Sequence, residues 1–326
     1  MLRIASYVVL IGKIAVHVLL VGIIMTTTTP PPAGAAEDPS EKVAAPAEES
    51  SAAASPGDNL SLWSEKWEAD QTGWHERDIN HILKKHGGLI VPGGFAGGNG
   101  DTDTGSTCMA DTADRGDGKD MAPVHVFVPL CGKTVDMVHL AHHAGVSWVY
   151  GVDGISKAVE EFAEENPSLV LKQVAKAKIT DTNTIEAWIG EKITLRVKDF
   201  FQLEKGSFAE RADAVWDRAS LVAIAPAKRS EYVTVIGKLI KPGGKILLAT
   251  VDKREGNEEA RKAGPPYSVD ESAVRALYED AAWVESVELV AEYDGLVQNP
   301  SEMERWKGKG IESMFELVFL IKGKQE

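Results

Sequence analysis

The sequence predicts a doubly wound α/β fold: a Rossmann-like, mostly parallel sheet with helices on both faces. Three observations predict it. Residues 124–128 form a β-branched and aromatic run that meets Pro129 and Gly132, and Met137, Leu140, Ala141 and Ala144 then recur at helical spacing. A second apolar run, 148–152, follows at once and ends on Asp153. Later segments keep alternating between apolar runs and helical patterns. A βαβ unit with a tight first turn and an acidic end to its second strand is the nucleoside-binding half of such a fold, and the carboxylate suits the two hydroxyls of a ribose.

The elements follow in order. Residues 1–25 are mostly apolar, interrupted by Arg3, Lys13 and His17. Three readings stand: a targeting signal with Ala33-Gly34-Ala35 near its end, a membrane anchor, or a start at Met25 that makes the stretch an artefact. Location follows from the choice, cytoplasmic for a start at Met25 and targeted or anchored otherwise. Residues 26–59 are rich in Thr, Pro, Ala, Ser and Glu and read as a disordered linker. The folded domain is expected over 60–326. In it Trp63 and Trp67 share one helix face, as core or lid packing, and Ile79, Ile82 and Leu83 mark a second helix. Residues 87–122, glycine- and aspartate-rich, read as a disordered insertion, and their acidic spacing fits no EF-hand loop.

A helix over 134–144 is expected to end at Gly145, and Ser156 to cap a helix reaching 166. Residues 193–197 form the third strand, with Asp199 and Phe200 at its carboxyl end, where ligand crevices form. Two readings are open there: Asp199 accepts from an adenine amino group while Phe200 packs on the ring, or Asp199 caps a helix and Phe200 is core. Residues 214–216 are the fourth strand, ending in Asp217-Arg218, which by itself reads equally as a structural ion pair. A helix over 227–240 leads through Pro242-Gly243-Gly244 to a fifth strand, 245–250. Gly264-Pro265-Pro266-Tyr267 is a rigid turn before another helix, and 287–293 and 314–321 alternate as strands.

Composition narrows the function. A length of 326 residues suits one α/β domain with extensions. A net charge of −14 argues against gripping nucleic acid by its phosphates. Two cysteines, Cys108 and Cys131, are too few for a disulfide scaffold. The first turn lacks G-x-G-x-x-G, which disfavours a nicotinamide-dependent oxidoreductase. No catalytic triad or metal cluster is visible in the sequence.

Pro129-Leu130-Cys131-Gly132-Lys133, then Asp136, then Gly151-Val152-Asp153, resembles the thiopurine S-methyltransferase family of class I S-adenosylmethionine (SAM) methyltransferases. Four further motifs agree in order: Trp63-x-x-x-Trp67 with Trp74 and His75, Asp217-Arg218-x-x-Leu221-Val222-Ala223, Gly264-Pro265-Pro266, and Arg305. The resemblance covers nearly all of 60–322. It implies a seven-stranded sheet with an antiparallel final pair, and SAM as methyl donor, with no metal. It places Trp63 and Trp67 in a lid over the cofactor, with Leu130, Asp153, Asp199, Phe200 and Arg218 lining its site. Trp74, Pro265 and Arg305 would border a small-molecule acceptor, and Arg218 and Arg305 would stabilise its thiolate. The implied acceptor is a thiopurine or aromatic thiol; halide, bisulfide, simple thiols or selenium and tellurium species are the alternative. Trp306 and Lys309 stand where the family has His and Trp, which leaves the acceptor open. An inactive SAM-binding module is a further reading. Nothing in the sequence reads as an assembly face, so a monomer is expected.

Overall fold

Alternation in the central strands divides their side chains between two apolar layers. Phe127, Val215, Ile246 and Leu248 join one layer, whereas Val126, Val128, Ala214, Trp216, Leu247 and Ala249 join the other. The computed structural model describes residues 59–95, 122–180, 183–298 and 300–325. Residues 1–58 and 96–121, with the signal, linker, aspartate-rich and Cys108 readings, lie outside that set.

In chain order the elements are α1 (Asn59–Glu68), α2 (His81–His86), β1 (Val124–Val128), α3 (Asp136–His142), β2 (Val146–Asp153), α4 (Ser156–Glu165), β3 (Lys172–Thr180), β4 (Asn183–Ile189), β5 (Ile193–Val197), β6 (Ala212–Arg218), α5 (Arg229–Leu239), β7 (Ile240–Gly256), α6 (Glu258–Lys262), α7 (Glu271–Tyr278), β8 (Val284–Asp294), α8 (Gly295–Gln298), α9 (Pro300–Gly308) and β9 (Ile311–Gly323). One sheet takes the order β3-β4-β5-β2-β1-β6-β7-β9-β8. Its middle, β5-β2-β1-β6-β7, is parallel, and β8-β9 pack antiparallel at one edge. Residues of α5 and α7 cover one face; residues of α2, α3 and α4 cover the other. The strand order reverses between β1 and β6, which puts a crevice at their carboxyl ends.

Several expectations need correction. The sheet has nine strands, because the antiparallel hairpin β3–β4 adds to the β5 edge. β7 runs past 250 to Gly256 because β9 supplies a ladder partner along that whole length. α3 closes at His143, not at Gly145. Ile155, not Ser156, occupies the N-cap of α4, and the Ser156 hydroxyl instead lies within hydrogen-bond distance of Glu160 and Glu186. The segment taken as an insertion starts with packed structure: a 3-10 turn over Gly87–Leu89, then Ile90 and Val91, both buried. Among the described residues, no helix is long and apolar enough to cross a membrane.

Candidate active site

The turn after β1 is held to its neighbours by three hydrogen bonds, and a fourth fixes the carboxylate that takes one of them. Cys131 N donates to Val152 O at 2.8 Å, and Ser220 Oγ donates to Pro129 O at 2.6 Å. The amides of Gly132 and Ile155 donate to the two carboxylate oxygens of Asp153, at 2.8 and 2.9 Å. Leu130 (φ 41°) and Gly132 (φ 49°) both take the left-handed backbone that bends the chain this sharply. Asp153 is 8% exposed, and burial pushes its carboxyl up to about 6 while the amides of Ile155, Gly132 and Gly154 pull against that. A carboxylate has about four acceptor positions, so these amides leave acceptor capacity for a ligand's hydroxyl. Cys131 is buried and its thiol is pushed well upward, which makes it a packing residue and no nucleophile.

Over this turn lies the tryptophan segment. Trp63 and Trp67, one turn apart on α1, each meet Trp74 edge-on, with centroids 5.0 and 6.1 Å apart. Trp67 is buried against Ile155 and Ala158 at the start of α4. The Trp67 ring packs directly on the turn, 3.4 Å from where a Cβ on Gly132 would stand, and the positive φ of Gly132 is what favours glycine there. His75, beside this cluster, is kept toward its neutral form by burial and by Lys133.

Arg218 closes the crevice from β6. Its Nη1 donates to Trp74 O at 3.1 Å, and its Nη2 pairs with Glu76. Glu76 accepts from Asn80 Nδ2 at 3.0 Å, Asn80 N donates to Asp136 Oδ1 at 2.8 Å, and Trp216 Nε1 donates to Asp136 Oδ2 at 2.9 Å. One hydrogen-bonded chain thus runs from the sheet through Asp136, Asn80 and Glu76 to the arginine. Asp217 and Arg218 are not an ion pair. Asp217 is fully buried and accepts from Tyr232 OH at 2.7 Å and Leu221 N at 3.3 Å, and burial pushes it up to about 6.

At the β5 end, Asp199 Oδ1 accepts from Phe201 N at 3.0 Å, the bond that caps a 3-10 turn. Phe200 is 2% exposed and stacked on Tyr232 at 4.5 Å. That is the capping and core arrangement of the two readings, since a ring stacked inside the core has no face left for adenine.

The loop carrying Pro265 is fastened to the extension of β7. Val269 N donates to Val251 O at 2.7 Å, Lys253 N to Ser268 Oγ at 2.9 Å, and Lys253 Nζ to Ala263 O and Pro266 O, both at 2.7 Å. Arg305, exposed on α9, reaches the tryptophan segment: its Nη1 lies 2.8 Å from the position a Cβ on Gly73 would take. A separate surface depression lined by Glu210, Arg211, Lys241, Pro242 and Gln325 lies at the opposite, amino-terminal ends of β6 and β7.

Turn, tryptophans and Arg218 therefore meet at one crevice, Arg305 reaches its tryptophan segment, and the Pro265 loop is tied to Lys253, which lies near the same indole as Arg305. Sequence reasoning missed Glu76, Asn80 and Lys253. Asn80 carries a legible signal, since an Asn just before the helical pattern of Ile82 and Leu83 is a capping residue, and its Oδ1 accepts from Ile82 N. Glu76 and Lys253 carry none, because isolated charges beside a turn or past a strand end read as surface.

A family model described as "Thiopurine S-methyltransferase (TPMT)" matches residues 114–324. The chain belongs to the thiopurine S-methyltransferase family. A thiopurine S-methyltransferase of Nitrosospira multiformis is 31% identical over 264 residues, covering 79% of this chain and 96% of that protein. One from Legionella pneumophila is 36% identical over 226 residues, covering 69% and 82%. A probable thiopurine S-methyltransferase of Danio rerio is 27% identical over 268 residues, covering 82% and 96%. This family member is a SAM-dependent methyltransferase of class I fold. Its crevice fits the donor on two counts: a tight turn after β1 with positive φ at Leu130 and Gly132, and the acceptor capacity left on Asp153.

Proposed function

We propose that the crevice between β1 and β6 transfers a methyl group from SAM to the sulfur of a small aromatic thiol, a thiopurine or one like it. SAM supplies a methyl on a positively charged sulfonium, so the chain's task is alignment and exclusion of water. Asp153 would accept the two ribose hydroxyls, and Leu130, Trp63 and Trp67 would wall the donor. Asp199 and Phe200 would support that wall from behind, through the turn that Asp199 caps and the stack on Tyr232. Trp74, Pro265 and Arg305 would border the acceptor. The thiolate is the competent nucleophile, and Arg218 and Arg305 favour it by their charge without acting as bases.

The observation that carries this reading is the double tie of Arg218 to Trp74 O and Glu76, which points a cation from the sheet into the segment that covers the donor. The domain is read as 60–326, acting as a monomer. Calorimetric titration of the full chain with SAM, followed by 6-mercaptopurine and detection of S-adenosylhomocysteine, tests it. Binding followed by product supports the reading; a folded protein that does not bind SAM overturns it.

A further inference from the structure

Lys253 is 4% exposed, yet among the described residues no carboxylate lies within ion-pair distance of it. Its ammonium has three hydrogens and two carbonyl acceptors, those of Ala263 and Pro266 on either side of Pro265. A buried cation with no counter-charge is costly, and an anion that reached it would recover part of that cost. Two more cations stand round the same indole. Lys253 Nζ is 5.5 Å, Lys309 Nζ 4.9 Å and Arg305 Cζ 5.9 Å from the ring centroid of Trp306. Arg305 and Lys309 keep further contacts of their own, so the argument rests on Lys253 and on the convergence of charge. Burial and then Lys309 lower the Lys253 ammonium to about 8, as expected where two cations face each other with no anion between them.

We propose that Lys253 and Lys309, set around Trp306 beside Arg305, form a subsite for a carboxylate carried by the acceptor, so that the preferred substrate is an aromatic thiol acid. This rests on the S-methyltransferase reading and names its substrate class. The indole gives the acceptor ring an apolar surface, and the two ammonium groups hold its carboxylate. Arg305 reaches from there to Gly73, next to Trp74 and so to Arg218, which places the carboxylate subsite and the thiolate-stabilising arginine along one acceptor.

The test uses the full chain with saturating SAM and compares kcat/KM for 4-mercaptobenzoate and thiophenol, which differ by the carboxylate. Wild type is expected to favour the acid, and Lys309→Gln and Lys253→Met each to lower that preference about tenfold, the scale of one charge pair near an interface. Lys228→Gln, exposed and paired with Glu231, should leave the ratio unchanged. The exposed Lys309 variant keeps the test informative if the buried Lys253 variant is unstable, and the SAM affinity of each variant reports its folding. Equal loss on both acceptors would assign Lys253 to loop support, and an unchanged ratio in both variants would remove the subsite; either overturns the proposal. Tryptophan fluorescence titration with 4-(methylthio)benzoate against thioanisole, in the presence of S-adenosylhomocysteine, reads the subsite without turnover. A Lys309-dependent preference for the acid there supports the subsite even if no methyl transfer occurs, in which case it is the S-methyltransferase reading that fails.

Discussion

Replacing Asp153 by Asn separates the two things its carboxylate does. Burial holds the acid at about 6 instead of the ordinary 3.8. At about 1.36 kcal/mol per pH unit, its ionisation costs the folded state on the order of 3 kcal/mol, the net of burial against the amides of Ile155, Gly132 and Gly154. The folded state keeps the proton between pH 4 and pH 6 while the unfolded chain has lost it. Stability contributed by this group is therefore full below pH 4 and lost as pH rises through 6. Donor binding runs the other way, since only the ionised form accepts two hydroxyls fully. SAM affinity is expected to fall about tenfold per pH unit below pH 6 and to be flat above it. Asp153→Asn removes both slopes. It also weakens SAM about a hundredfold at pH 7.5, because two charge-assisted hydrogen bonds are lost at about 1.5–3 kcal/mol each, partly offset by the amide that replaces them. Urea denaturation and SAM calorimetry from pH 4.5 to 8 measure the two profiles on the same samples. A variant that keeps the wild-type pH dependence of SAM binding would show that another group sets it, and the ribose role would fall.

Further outcomes are expected. Trp67→Ala should destabilise the protein by about 3 kcal/mol, through lost packing on Ile155, Ala158 and Gly132, and weaken SAM at least tenfold by calorimetry. Arg218→Ala should lower kcat about a hundredfold with SAM affinity changed less than threefold; equal losses in both would place the arginine with the donor. Glu76→Gln, which keeps a hydrogen bond to Arg218 but removes the charge, should shift kcat less than Arg218→Ala does, as single-turnover rates would show. Asp136→Ala leaves Asn80 N and Trp216 Nε1 without their acceptor inside the protein and should cost about 2–4 kcal/mol in denaturant titrations.

The parallel middle of the sheet was legible because β1, β2 and β6 are largely buried on both faces and each holds a short apolar stretch, 126–128, 148–152 and 214–216. The hairpin β3–β4 was not, since Gln173, Lys176, Lys178, Asn183 and Glu186 break up its apolar content and only a period of two remains. That is the composition of an edge, where lysines discourage pairing with another chain. The site was legible where residue types cluster in sequence: the turn at 129–132, the tryptophan pair, and Arg218. Asp199 and Phe200 were undecided from sequence because a cap and a ligand contact call for the same residues; Tyr232, 32 positions on, settles where the ring packs. Lys253 was invisible because its burial depends on the loop at 263–266 folding back over β7, a contact no local pattern encodes.

The chain of bonds from Trp216 to Arg218 also bears on timing. Trp74 and Glu76, which orient the arginine, belong to the same short segment whose tryptophan packs against Trp63 and Trp67. Any movement that uncovers the donor site by lifting this segment strips Arg218 of both partners in the same event. On the proposed reading, opening for exchange and readiness for chemistry would exclude each other, and a water molecule that entered while the segment was raised would meet an arginine no longer held by Trp74 and Glu76.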